Sequence, residues 1–123
     1  MVQTSLRVQE KAVVNAAVLD RAHLARMTFN DFWLEREILQ LFNRQAELLM
    51  ARMRVSQPPA IATLAHTLKG SAARIGAGRV ACAAAATEMA ASSAPAECSG
   101  AIDELAQAVD EVRIEIAALQ SRA

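Results

Sequence analysis

The sequence is poor in aromatic residues and carries no net charge. These two features limit the fold class and the partners that the chain can have. Phenylalanine and tryptophan make up 3% of the 123 residues, and tyrosine is absent. Runs of β-branched and aromatic residues, which are typical of strands, are therefore scarce. The 13 basic residues balance the 13 acidic ones, and no long basic block is present. This charge pattern argues against nucleic acid as a partner.

The sequence also has few cysteines and no long apolar run. Cys82 and Cys98 form no C-x-x-C motif, so we expect two reduced thiols in a cytoplasmic protein, with a disulfide between them as the alternative. No apolar run approaches the ~20 residues that a membrane-spanning helix needs, so we expect no membrane partner. The first residues include Arg7, Glu10 and Lys11 and lack the continuous apolar stretch of a signal peptide.

Alanine supplies much of the apolar content, and this favours helices that pack closely through small side chains. Apolar spacing predicts four long helices, at about 31–54, 59–75, 77–91 and 95–120. Asp20 is a candidate N-cap for a short helix before them. We therefore predict an all-α fold, an antiparallel four-helix bundle with a short additional N-terminal helical segment. Residues 1–18 are predicted to form an arm or helix extension, and residues 19–123 the bundle of a monomer.

The first long helix has an apolar stripe that we expect to face the core. Its members are Leu34, Ile38, Leu41, Phe42, Leu48, Leu49 and Met53. Phe32 and Trp33, at the start of this helix, are expected to cover one end of the core. In the last helix, apolar residues from Ile102 to Leu119 alternate spacings of three and four, which is the pattern of a bundle seam.

The stretch His66-Thr67-Leu68-Lys69-Gly70-Ser71 is the most informative part of the chain. On a helix, His66, Lys69 and Gly70 are neighbours on one surface. The opposite side carries apolar residues at helical spacing, namely Ile61, Leu64, Ala65, Leu68, Ala72 and Ile75. The spacing therefore predicts that His66 points to solvent while its helix is docked in a core.

An exposed imidazole beside an ammonium group is suited to carrying a phosphoryl group. A neutral imidazole, with an ordinary pKa of about 6.5, is a good nucleophile near neutral pH. The Lys69 ammonium can compensate phosphoryl oxygens. Gly70 costs roughly 1 kcal/mol relative to alanine inside a helix, and its missing side chain leaves room for a partner. The alternatives are a histidine without a role, a solvated lysine and a glycine that permits close helix packing.

The stretch from His66 to Ala77 resembles the signature of the histidine-containing phosphotransfer (HPt) domain family, H-x-L-K-G-S followed by a small residue and an apolar-Gly pair. The match covers about residues 60–90, and the helix order from about 20 to 120 fits the family's four-helix bundle. The resemblance implies that His66 is phosphorylated and exchanges its phosphoryl group with receiver-domain aspartates. It also implies that Lys69 and Gly70 border that site.

The same resemblance bears on partners and cofactors. It implies response-regulator receiver domains as partners, among them the receiver of a hybrid histidine kinase. The chain shows no phosphate-binding loop of an ATP site, so we expect a phosphocarrier and not an enzyme. No cofactor is expected on this chain, and Mg²⁺ is expected in the receiver partner.

The face that a partner contacts is expected to include Ala62, Thr67, Ala73 and Glu88. Glu88 stands where many relatives have Glu or Gln facing the histidine, but Thr87 before it replaces a usual apolar residue. That departure favours a solvated surface carboxylate for Glu88.

Two other functions compete with the phosphocarrier. One is a non-phosphorylated helical adaptor that binds a receiver or kinase. The other is a metal-binding bundle using the side chains of His23, His66, Cys82 and Cys98, but their spacings match no compact ligand motif, so we predict no metal site. His23 is expected to be a surface or packing residue.

Overall fold

Residues 18–121 are described by the structure, a computed structural model, and they form a helical bundle without strands over that range. The α-helices are α1 (Arg21–Met27), α2 (Phe32–Arg54), α3 (Pro58–Ile75), α4 (Gly78–Ser93) and α5 (Cys98–Ser121). The predicted all-α bundle with a short N-terminal helix is confirmed. The predicted arm lies, apart from Val18, outside the described residues.

Side chains and special backbone positions define where the helices begin and end. Asp20 caps α1 by accepting a 3.0 Å hydrogen bond from the His23 backbone N–H, and Asp31 caps α2 in the same way. Pro58 occupies the first turn of α3, where its missing N–H costs nothing. The last helix begins later than predicted, because Pro95–Glu97 forms a 3₁₀ turn ahead of α5.

Gly76 ends α3 and ties it to the segment before α1. Its φ of 82° lies in the left-handed region, which ordinary residues rarely adopt. The Asp20 backbone N–H donates a 2.9 Å hydrogen bond to the Gly76 carbonyl oxygen. A Cβ at Gly76 would lie 2.9 Å from the Asp20 Cβ, so both conformation and space require glycine here.

The core contains the apolar row that the sequence predicts for α3. Ile61, Ala65, Leu68, Ala72 and Ile75 are all buried, and Leu64 is half-buried. α3 packs against α2 on one side and α4 on the other, and α5 packs against α2 and α4. The predicted seam of α5 is buried from Ile102 to Ile116, with Leu119 half-buried at its end.

The apolar stripe predicted for α2 is partly wrong. Leu41 and Leu48 are 56% and 51% exposed, while the buried row is Leu39, Phe42, Ala46, Leu49 and Met53. Two adjacent leucines or phenylalanines cannot share one helix face, because neighbouring residues are 100° apart. In the adjacent pairs Leu41–Phe42 and Leu48–Leu49, only the second residue faces the core.

Phe32 and Trp33 do not cover the end of the core, which corrects a second expectation. Phe32 is 47% exposed and Trp33 is 73% exposed. That end is closed by α1, whose Leu24 is completely buried and whose Met27 packs against the core. The His23 side chain helps to hold α1 in place, since its Nε2 lies 2.8 Å from the Arg74 carbonyl oxygen. His23 is thus a packing residue.

Candidate functional site

His66 lies near the middle of α3 on the face turned away from the core. Its side chain is 65% exposed, while Ala65 and Leu68 beside it are fully buried. The helix itself is therefore fixed by packing, and the imidazole is presented to solvent from a rigid support. This placement confirms the exposure that the apolar spacing predicts.

Gly70 leaves an open space one turn beyond His66. A Cβ built on Gly70 would meet no atom within 4 Å, apart from its own helix and chain neighbours. Close packing against another helix is therefore not the reason for glycine at this position. The space beside Gly70 is therefore open, one turn from the imidazole.

Glu88 of α4 joins His66 and Lys69 of α3 into one network. Its Oε2 lies 3.0 Å from His66 Nδ1, and its Oε1 accepts a 3.0 Å hydrogen bond from Lys69 Nζ. Its side chain is 30% exposed, against 65% for His66 and 36% for Lys69. The expectation of a solvated surface carboxylate for Glu88 is therefore wrong.

Thr87 explains why Glu88 still faces α3. The Thr87 side chain is fully buried, and its hydroxyl donates to the Ala83 carbonyl oxygen at 2.9 Å, with the Ala101 carbonyl 3.3 Å away. The hydroxyl is thus satisfied inside the bundle, as a buried polar group must be. The helix keeps its register, and the next residue, Glu88, points towards His66.

The electrostatics of the network favour an ionised carboxylate. The hydrogen bond from Lys69 holds the pKa of Glu88 below its usual value, and the contact with His66 adds to this, although partial removal from water opposes both. An ionised carboxylate has no hydrogen to donate. In a neutral imidazole, Nδ1 must therefore carry the hydrogen of this bond, and the lone pair is on Nε2.

The other residues predicted for the contact face lie in two places. Ala62, Thr67 and Glu88 line, with His66 and Thr63, a shallow hollow of about 250 Å³. Ala73 is exposed but lies further along α3, outside this hollow. The structure thus brings three of the four predicted contact residues together at the imidazole.

The residues considered for zinc are not brought together. Within residues 18–121, no group of three His, Cys, Asp or Glu side chains is close enough to hold a metal ion. Cys82 is exposed and Cys98 is buried, and each is a free thiol. None of the described helices is both long enough and apolar enough to cross a membrane.

Comparison with known families adds one finding to this geometry. The family model "Hpt domain" matches residues 36–122, which is more than half of the chain and includes the whole His66 network. No curated protein and no solved structure matched the chain. Members of this family are phosphocarriers without a kinase site of their own, and they work with response-regulator receiver domains. With its exposed histidine on a helical bundle and this family match, the chain belongs to the Hpt domain family, the histidine phosphocarriers of phosphorelays.

Proposed function

We propose that this chain carries phosphoryl groups in a multistep two-component phosphorelay, exchanging them between His66 and receiver-domain aspartates. The receiver of a hybrid histidine kinase is one such partner, and the chain acts as a monomer. The observation that carries the proposal is the hydrogen bond between His66 Nδ1 and Glu88 Oε2. It orients the ring and leaves the nucleophilic lone pair on Nε2.

The transfer is a displacement at phosphorus. The Nε2 lone pair of His66 forms the N–P bond while the bond from phosphorus to the aspartate oxygen breaks, and the aspartate leaves as a carboxylate. The ring becomes an imidazolium, and its Nδ1–H still donates a hydrogen bond to Glu88 Oε2. In the reverse direction the imidazole leaves in its neutral form. Mg²⁺ bound to the receiver partner would supply positive charge for the phosphoryl oxygens.

Lys69 and Gly70 serve the same step in different ways. Lys69 provides a cation one turn from His66, and its ammonium compensates negative charge on the phosphoryl group. In the free protein this ammonium is bound to Glu88 at 3.0 Å. Gly70 leaves the open space through which a receiver brings its phospho-aspartate in line with Nε2.

The proposal is tested with a purified receiver carrying a radiolabelled phospho-aspartate. We expect the label to move to this chain as an acid-labile, alkali-stable phosphohistidine, and ³¹P NMR to assign it to Nε2. His66→Gln should abolish acceptance. His23→Gln is the matched control, because His23 is the only other histidine of the chain and lies against Arg74, away from the network.

Three outcomes would contradict the proposal. Label on the His66→Gln variant would identify another carrier residue. Binding of receivers without any phosphoryl transfer would favour the adaptor function. Labelling of His66 from ATP and Mg²⁺ alone, with contaminating kinases excluded, would require a nucleotide site in this chain.

A further inference from the structure

The helix that carries Glu88 has few side chains that could fix its own rotation. Alanine occupies much of α4, including the unbroken run 83–86. In α4, which the structure describes throughout, the buried side chains larger than a methyl group are those of Val80 and Thr87. A turn of the helix about its axis would exchange one alanine methyl for another. The alanines of α4 therefore restrict such a turn little, as in any uniformly packed core.

The phosphotransfer site, in contrast, needs α4 in one narrow orientation. Glu88 makes two contacts of 3.0 Å, from Oε2 to His66 Nδ1 and from Oε1 to Lys69 Nζ. Side-chain tips lie about 5–6 Å from a helix axis, so a turn of α4 by about 20° would move the carboxylate by about 2 Å. A displacement of that size exceeds what either hydrogen bond tolerates.

Thr87 supplies a directional contact that the alanines lack. Its side chain is completely buried, and its hydroxyl donates to the Ala83 carbonyl of α4 at 2.9 Å. The same hydroxyl oxygen lies 3.3 Å from the Ala101 carbonyl oxygen of α5. Hydrogen bonds depend on angle as well as distance, so this contact links the two helices at one rotation of α4. A satisfied polar group in a core gives it this kind of uniqueness.

We propose that Thr87 is a positioning residue for phosphotransfer, whose hydroxyl fixes the rotation of α4 against α5 and thereby holds Glu88 at His66. The inference rests on the proposed function of His66. Thr87 and Glu88 are adjacent, so their side chains leave α4 about 100° apart, one into the core and the other towards α3. Because the Thr87 side chain is buried, it acts only through Glu88.

The fold itself does not need the Thr87 hydroxyl. Ala83 and Ala101 lie inside α4 and α5, where their carbonyl groups also accept the backbone hydrogen bond of the helix. Valine has nearly the shape of threonine without the hydroxyl, so Thr87→Val leaves no buried polar group without a partner. A purely structural role therefore predicts no change at His66 in this variant, whereas a positioning role predicts one.

The test compares Thr87→Val with Thr87→Ser, which keeps the hydroxyl and loses the methyl group. ¹⁵N NMR of the His66 ring measures the tautomer in the free protein, and transfer from a phosphorylated receiver measures the rate. Ser93→Ala is the matched control, because the exposed Ser93 hydroxyl donates to the Met89 carbonyl of the same helix at 2.8 Å. Circular dichroism measures the melting temperature of every variant.

We expect the two Thr87 variants to separate stability from positioning. Thr87→Val should melt within about 5 °C of the parent, yet its His66 ring should show mixed tautomers and its transfer should slow about threefold. That loss is the square root of the roughly tenfold loss expected when the carboxylate itself is removed. Thr87→Ser should melt lower because of the small cavity it leaves, but keep the parent tautomer and rate. Ser93→Ala should match the parent in tautomer and rate.

A double variant shows whether Thr87 acts through Glu88. In the Glu88→Ala background, Thr87→Val should not slow transfer further, since the group that Thr87 positions is absent. Additional slowing in that background would overturn the proposal.

Two other results would also overturn it. One is an unchanged His66 tautomer in Thr87→Val, and the other is an equal change in the Val and Ser variants, which would assign the effect to side-chain shape. If Thr87→Val does not fold, Thr87→Ala gives the same comparison, because it lacks the hydroxyl as well. The ring tautomer is measured without phosphate, so a parent chain that accepts no phosphoryl group would contradict the proposed function and leave the Thr87 measurement valid.

Discussion

Glu88 and His66 lie 22 positions apart in the chain, yet Oε2 of one is 3.0 Å from Nδ1 of the other. The second carboxylate oxygen accepts a hydrogen bond from Lys69, so one side chain contacts both the imidazole and the ammonium group. A single carboxylate with two partners makes the three residues interdependent. Substitution of one is therefore expected to change the behaviour of another, and this can be measured residue by residue.

The first prediction concerns the titration of Glu88. Lys69→Met should raise the Glu88 pKa towards its ordinary value, because the hydrogen bond from Lys69 is the largest cause of its depression. A depressed carboxyl pKa stabilises the fold above the ordinary pKa, and this contribution is lost as the pH falls through the lowered value. The variant should therefore lose the Glu88 network at a higher pH than the parent. ¹³C NMR of the Glu88 carboxyl group follows both effects.

Arg54→Met is the matched control for this titration. Arg54 also donates to a carboxylate, at 3.1 Å from Asp103, but it lies at the far end of α2. Its loss should leave the Glu88 titration curve where it is. A Glu88 curve that moves equally in both variants would show a general charge effect and not a local hydrogen bond.

The second prediction concerns the tautomer of His66. Glu88→Ala should release Nδ1, so that the hydrogen is shared between the two ring nitrogens and the lone pair is less often on Nε2. Phosphoryl transfer should slow by about tenfold, because losing a hydrogen bond worth about 1.4 kcal/mol in the transition state slows a reaction by that factor. ¹⁵N NMR of the His66 ring reports the tautomer, and transfer from a phosphorylated receiver reports the rate.

Glu88→Gln separates position from charge. The amide oxygen of glutamine can still accept from Nδ1, but the amide carries no negative charge. We expect the variant to keep the tautomer and to recover part of the rate. If the ring ¹⁵N shifts and the transfer rates are unchanged in both variants, Glu88 is only a surface contact without a part in the transfer.

The third prediction uses Gly76, where space and backbone both require glycine. Gly76→Ala should destabilise the protein by about 1–3 kcal/mol, because the residue would be strained at positive φ and its Cβ would press against Asp20 at 2.9 Å. Thermal or urea unfolding measures the loss. Stability equal to that of the parent would mean that the contact between α1 and the end of α3 relaxes freely.

The helices of this bundle could be predicted from sequence because their buried rows are unambiguous in α3 and α5. Ile61, Leu68 and Ile75, for example, leave only one face for the core. In α2 the adjacent pairs 41–42 and 48–49 offered two faces, and only the packing of α3 and α5 against it decides between them. Local periodicity cannot supply that information.

The residues of the site also differ in whether the sequence alone could place them. His66, Lys69 and Gly70 share one helix, so their spacing alone places them together. Glu88 comes from the next helix, and its position depends on how α3 and α4 pack and on the buried hydroxyl of Thr87, which finds carbonyl partners in α4 and α5. The contact between His23 and Arg74 spans 51 positions and was equally beyond local pattern.

The last prediction distinguishes access from helix stability at Gly70. Leucine is a better helix former than glycine by up to about 1 kcal/mol, and a Cβ at Gly70 meets no atom within 4 Å. Gly70→Leu should therefore raise the melting temperature while slowing transfer from a phosphorylated receiver, because the side chain fills the approach to His66. Gly100→Leu is the control, since Gly100 is also helical with open space around it, but lies in α5. It should leave transfer unchanged. Equal transfer rates in the two variants would show that Gly70 has no steric role in transfer.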